Sequence, residues 1–152
     1  MQSAECRVQR TQRGTTIAAR FLLALYTLAV LAIVFWPTPV DRPVAGALHE
    51  AIEVVRHAGA TAVTYNRVEI ASNVGMFVPL GVLGVLAFPR ARWWQVAIAC
   101  LVFSVPMELT QLVLLPERTA SVLDVAANAA GAVTGALAAS KIRHRVRASR
   151  GV

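Results

Sequence analysis

Polar side chains in the last third of the chain stand inside segments that are otherwise apolar enough to enter a membrane. They are Glu108, Gln111, Asp124 and Asn128. A charged side chain at membrane depth costs about 2.5–3.5 kcal/mol on insertion scales, so such residues normally face a bundle interior or a wet cavity. Carboxyl groups in such places can act as acids, bases or ligand-binding groups. The pattern therefore predicts a functional site.

Apolar runs must position these residues, and each run approaches the roughly 20 residues that a helix needs to cross about 30 Å of hydrocarbon. The runs cover residues 16–36, 70–88, 93–115 and 122–140. With 152 residues, 57% of them hydrophobic, the chain has room for one domain. We therefore expect an all-α integral membrane protein. Its transmembrane domain is a four-helix bundle over residues 16–140, between basic cytoplasmic tails at 1–15 and 141–152.

The formal net charge of +7 is unevenly distributed. Basic residues collect near the start, in the last segment, and at Arg90 and Arg92 between the second and third runs. By the positive-inside rule, both termini lie in the cytoplasm, and the first and third connections lie outside. Basic tails beside a membrane are held by anionic headgroups, so we expect membrane lipids and not nucleic acid as partners.

The first external connection carries apolar residues at helical spacing from Leu48 to Val55, which predicts a short amphipathic helix. On the same stretch His49, Glu53 and His57 are four residues apart, a spacing that could hold a metal ion. The segment lacks the second histidine of the zinc-protease motif, and other residues supply no clear third ligand. We therefore interpret it as a solvated polar face and expect neither a metal nor a cofactor.

The polar residues of different helices converge on one membrane level. With a rise of about 1.5 Å per residue, Glu108 lies roughly 10 Å from the outer end of its helix. Asn73 is close to the outer end of the second helix, Asp124 starts the fourth, and Arg118 lies in the connection before it. We therefore expect a ligand-binding pocket in the outer leaflet. Its residues are Asn73, Glu108, Gln111, Arg118, Asp124 and Asn128.

Glycines on two helices are expected to bring these groups together. Gly131 and Gly135 continue the polar face of the fourth helix, within a ridge of small residues that favours close packing in lipid. Gly81 and Gly84 belong to the opposing face of the second helix. The fourth helix should therefore pack centrally and present its polar pair to the third.

Most of the polar residues also have a structural interpretation. Ser121 to Asp124 matches a capping box, in which Asp124 satisfies backbone donors at a helix start. Asn73, Gln111 and Asn128 can form hydrogen bonds between helices. These roles do not exclude a second one in ligand binding.

Glu108 is harder to explain by structure alone. A glutamate at this depth must stay protonated or find a cation, and Arg118 is the nearest plausible partner. Arg118 can in turn bind a phosphate or carboxylate through its planar guanidinium. We therefore expect Glu108 to have a functional role and not only a structural one.

The spacing of these residues forms a longer pattern. An Asn-x3-Phe-x-Pro-x-Gly block runs from Asn73 to Gly81, and Glu108-x2-Gln111, Arg118, Asp124 and Asn128-x2-Gly131 follow. Over about residues 65–140 this resembles the VanZ-like family, with Ser121 at a position that is usually acidic or polar. The resemblance implies a small multi-pass protein of the bacterial plasma membrane. The founding member is associated with resistance to teicoplanin, a lipid-tailed glycopeptide antibiotic.

Three functions are compatible with these expectations. In the first, the pocket binds an amphiphile such as a lipid-linked envelope precursor or a lipoglycopeptide, with Arg118 pairing with its anion and the amides donating hydrogen bonds. In the second, a membrane enzyme acts on a lipid-linked substrate with Glu108 and Asp124 as an acid–base pair, although no nucleophile–histidine arrangement supports it. The third is a small transporter or proton pathway, for which we find no ionisable residue between the pocket and the basic side. We favour the first.

Overall fold

The computed structural model describes residues 2–35, 45–114 and 121–149. Within these ranges the chain forms five α-helices and no strand: α1 (Gln2–Val34), α2 (Ala45–His57), α3 (Tyr65–Ala87), α4 (Trp93–Leu114) and α5 (Val122–Ser149). Four of them, α1, α3, α4 and α5, contain segments long and apolar enough to cross a membrane. The prediction of an all-α protein with four spans is confirmed.

The helix bounds differ from the predicted ones. α1 begins at Gln2 and α5 runs to Ser149, so both helices continue into segments expected to be tails. These segments are rich in Gln, Arg, Ala and Lys, which favour helix, and contain no proline. α3 begins at Tyr65 and not near residue 70, because the hydroxyl of Thr64 caps it by accepting from the backbone N–H of Arg67.

The amphipathic helix predicted in the first connection is α2. Ile52 on its apolar face is buried. His49 stacks on Tyr65 at the start of α3, with ring centroids 5.3 Å apart, so α2 is linked to that helix. Glu53 forms an ion pair with Arg56 at 2.8 Å, and both side chains are about half exposed, as expected for a solvated polar face.

α3 and α5 form the most extensive interface of the bundle. Gly131 and Gly135 of α5 lie against the backbone carbonyls of Val74 and Val78, whose oxygens would be 2.2 and 2.0 Å from an added Cβ. A Cβ at Gly81 of α3 would lie 2.3 Å from a backbone oxygen of α5. Because backbone atoms cannot move aside separately, these glycines set the distance between the two helices.

The other helices pack around this pair. α4 contacts α5 and α3, and Gly84 of α3 faces α4, where a Cβ would lie 2.5 Å from Cγ1 of Val96. α1 packs on α3, and a core cluster that includes Val30, Phe77 and Met107 joins α1, α3 and α4. The outward faces of these helices carry exposed large apolar side chains, which suits contact with lipid.

The spanning helices alternate in direction, and arginines join their ends at one side of the bundle. Arg20 of α1 donates from Nε to the carbonyl of Ala87 at 3.0 Å. Arg143 of α5 donates to the carbonyls of Val85 and Pro89, each at 3.2 Å. The last carbonyls of a helix lack helical partners and carry partial negative charge, so these cations close α3. We call this side the basic end; it carries Arg20, Arg90, Arg92, Lys141 and Arg143.

Candidate functional site

Asp124 is the centre of the contacts at the opposite side, which we call the polar end (Asn73, Ser104, Glu108, Asp124 and Asn128). Its Oδ1 accepts a hydrogen bond from Nδ2 of Asn73 at 2.6 Å, which joins α5 to α3. Its Oδ2 accepts from the backbone N–H and the hydroxyl of Ser121 at 3.1 and 2.7 Å. The Asp124 backbone N–H lies 3.3 Å from the Ser121 hydroxyl and completes the predicted capping box.

Asn128, one turn further along α5, joins this helix to α4. Its Nδ2 donates to Oγ of Ser104 at 2.9 Å, and the two residues are only 3% and 0% exposed. Its Oδ1 is buried as well and has no hydrogen-bond partner among the described residues. A buried acceptor left without a donor costs roughly 1–3 kcal/mol. A donor placed beside Oδ1 would recover that free energy.

Glu108 and Gln111 follow Ser104 on one face of α4. Gln111 is buried, and its Nε2 donates to the backbone carbonyl of Val34 at the end of α1, at 3.1 Å. Glu108 is half-buried, and its Oε2 is fully enclosed. A carboxyl group therefore lies on α4 between a contact to α5 and a contact to α1.

A family model described as VanZ/LLP1 matches residues 23–143. The chain belongs to the VanZ/LLP1 family. The resemblance seen in the motifs is thereby confirmed, and the match also takes in residues 23–34 of α1, which carry no motif. No curated protein and no solved structure matches the chain. With four helices able to span a bilayer, this VanZ/LLP1 chain is a multi-pass membrane protein.

The structure distributes the predicted site residues of this VanZ/LLP1 protein over several contacts. Asn73 and Asp124 touch directly, whereas Asn128 contacts α4 and Gln111 contacts α1. The expectation that the polar pair of α5 faces the third apolar helix was right for Asn128 and wrong for Asp124. Asp124 binds α3, because the capping box fixes its position at the start of α5. Arg118 lies outside the described residues, so its pairing with Glu108 stays a prediction.

Two contacts of the site were not found from the sequence. The spacing places Ser104 on the same helix face as Glu108, four residues before it, but the sequence did not identify Ser104 as a site residue. The carbonyl of Val34 could not be found, since every residue has a carbonyl and no side-chain type marks this one. α1 also contributes Tyr26, whose hydroxyl donates to the Met76 carbonyl of α3 at 3.0 Å.

The carboxyl group of Asp124 and the amide of Asn128 differ in how their oxygens are satisfied. Both oxygens of Asp124 already accept hydrogen bonds that hold the start of α5, so a proton transfer at this carboxyl would disturb the cap. By contrast, Oδ1 of Asn128 is a buried acceptor without a hydrogen-bond donor among the described residues. In the described part of the VanZ/LLP1 chain, no group of three His, Cys, Asp or Glu side chains could hold a metal ion. Within the described residues, a hydrogen-bond donor is what the buried oxygen of Asn128 lacks.

Proposed function

We propose that this VanZ/LLP1 protein is a binding module of the bacterial plasma membrane whose polar end takes the headgroup of an amphiphile. The ligand class is a lipid-linked envelope precursor or a lipoglycopeptide. Such molecules keep an apolar tail in the bilayer and carry hydroxyl, amide and charged groups at its surface. The observation that carries the proposal is Oδ1 of Asn128, a buried acceptor without a hydrogen-bond donor among the described residues.

The distribution of charge supports the side of the membrane that we propose for the polar end. Arg20, Arg143 and the connection with Arg90 and Arg92 all belong to the basic end. The positive-inside rule places such an end in the cytoplasm. The polar end then lies at the outer leaflet, where envelope precursors are used and where lipoglycopeptides arrive.

We assign recognition of the ligand to hydrogen-bond acceptors and to one cationic side chain. The amide nitrogens of Asn73, Gln111 and Asn128 donate to other helices, so their main role is to hold the polar end together. Glu108 and the Asn128 carbonyl accept hydrogen bonds from the ligand. Arg118 pairs with a ligand phosphate or carboxylate, for which its planar guanidinium is suited.

The test is ligand binding by the full chain in lipid nanodiscs, measured with a fluorescent teicoplanin derivative and, separately, with a labelled lipid-linked wall precursor. Glu108→Gln keeps the side-chain shape and removes the charge, whereas Arg118→Ala removes the cation. We expect each variant to bind at least one of the two probes about tenfold more weakly, which corresponds to about 1.4 kcal/mol.

The matched control is Thr134→Val. Thr134 is an exposed polar residue of α5 whose hydroxyl bonds only within its own helix, to the Ala130 carbonyl at 2.7 Å. This variant should bind like the unmodified protein. Equal affinity of all variants for both probes, together with unchanged drug susceptibility of cells carrying Glu108→Ala or Arg118→Ala, would refute the proposal.

A further inference from the structure

A groove at the basic end lies apart from the polar end and has no part in the proposed function. It runs along α1 beside the end of α3 and has a volume of about 510 Å³. Its lining is formed by Arg20, Leu23, Ala24, Thr27, Leu28 and Phe88. All of these except Arg20 and Thr27 are apolar. We call it the α1 groove.

The guanidinium of Arg20 is held at the mouth of the α1 groove. Its Nε donates to the Ala87 carbonyl at 3.0 Å, and its Cζ lies 5.7 Å from the centre of the Phe88 ring. These contacts use the Nε edge and one face of the group. Its Nη atoms have no hydrogen bond to the described residues. They can therefore bind an anion, and two parallel N–H groups fit phosphate oxygens.

The α1 groove has the dimensions of one leaflet. From Arg20 to Leu28 the helix rises about 12 Å at 1.5 Å per residue, compared with about 15 Å for half of the hydrocarbon core. Trp93 and Trp94 start α4 at the same end of the bundle, as is usual for aromatic residues at a membrane surface. The groove thus carries a cation at headgroup level and an apolar lining at acyl-chain level.

The charged side chains around the mouth of the α1 groove are all basic. Arg90, Arg92 and Lys141 belong to the same end, and residues 13–28, 88–94 and 140–149 contain no Asp or Glu. The positive charge at the mouth increases the affinity for an anionic headgroup, whereas it has little effect on the affinity for a zwitterionic one. From charge and length together, we propose that the α1 groove binds one anionic phospholipid, with its phosphate on Arg20 and an acyl chain along Leu23 to Leu28.

Native mass spectrometry of the full chain in detergent tests this proposal. The protein is incubated with phosphatidylglycerol or with phosphatidylcholine of the same acyl chains, and the retained lipid is counted. The unmodified protein should retain phosphatidylglycerol in preference to phosphatidylcholine. Arg20→Gln should retain it about fivefold more weakly, the factor that corresponds to about 1 kcal/mol for one basic residue at a membrane surface. Arg20→Lys, which keeps the charge, should retain the preference.

A second variant blocks the groove without touching the core. Ala24 is exposed on α1, so Ala24→Trp fills the lining and should abolish retention of the lipid. Arg145→Gln removes an exposed cation of the same end outside the groove and should change nothing. Equal retention of both lipids by the unmodified protein, or undiminished retention by Arg20→Gln or Ala24→Trp, would overturn the assignment.

Discussion

The two ends of the bundle satisfy polar groups in different ways. At the polar end, buried or half-buried side chains bind one another across helices: Asn73 with Asp124, and Asn128 with Ser104. At the basic end, the half-exposed or exposed side chains of Arg20 and Arg143 bind backbone carbonyls at the end of α3.

The two ends also differ in how far helix termination accounts for their polar groups. Arginines at a helix end neutralise carbonyls that would otherwise lack partners, so the basic end is accounted for by helix termination and lipid contact. The polar end contains polar groups that helix termination does not require. Glu108 is not needed for the α5 cap, and the Asn128 carbonyl has no donor among the described residues. A buried acceptor without a donor lowers the stability of the fold, and proteins usually retain such a group only where it has a function.

Both ends depend on the glycine contact between α3 and α5, and breaking it should have the largest effect. A Cβ at Gly135 would lie 2.0 Å from the Val78 oxygen, so Gly135→Val must push the helices apart. We expect a loss of about 3 kcal/mol in the free energy of unfolding, measured by SDS titration in mixed micelles. Gly75→Ala is the control, since nothing lies within 4 Å of its added Cβ. Equal stability of the two variants would contradict this account of the interface.

A substitution at the polar end should have the second largest effect on the free energy of unfolding. Asp124→Ala removes the capping contacts with Ser121 and leaves the half-buried amide of Asn73 without its acceptor. Together these losses should cost about 2 kcal/mol in the same titration. Ser72→Ala is the control, because the Ser72 hydroxyl is exposed and bonds only to the Val68 carbonyl of its own helix. If Asp124→Ala proved as stable as this control, the cap would not hold α5.

A substitution at the basic end should destabilise the protein less than one at the polar end. Arg143→Gln removes the hydrogen bonds to the Val85 and Pro89 carbonyls, but water can replace a half-exposed donor. We expect a loss of about 1 kcal/mol, below that of Asp124→Ala. Arg145→Gln at an exposed position is the control. A larger loss for Arg143→Gln than for Asp124→Ala would reverse the proposed difference between the two ends.

Features with local causes could be predicted from the sequence. The spans follow from the length of apolar segments that a bilayer requires, and all four predicted spans coincide with helices. The cap at Asp124 was predicted because Ser121 and Asp124 are neighbours in the chain. The early start of α1 was not predicted, since its polar first turns have helix propensity but no apolar run.

Contacts between distant segments were harder to predict. The helix that Asp124 contacts depends on how α3 and α5 pack against each other. That packing is set by glycines that fit against particular backbone oxygens. The contact between Gln111 and the Val34 carbonyl depends on where α1 ends. Helix periodicity identifies the face of a residue, but the partner of that face is decided by the packing of the whole bundle.

The central claim is that the polar end faces the exterior, and cysteine labelling in intact cells tests it most directly. In a background with Cys6 and Cys100 replaced by serine, Val122→Cys places a thiol at the start of α5, where Val122 is 86% exposed. Arg145→Cys places one at the basic end. We predict that a membrane-impermeant maleimide labels the thiol at position 122 in intact cells and the thiol at position 145 only after permeabilisation. Labelling in the reverse order would put the polar end in the cytoplasm and contradict the account.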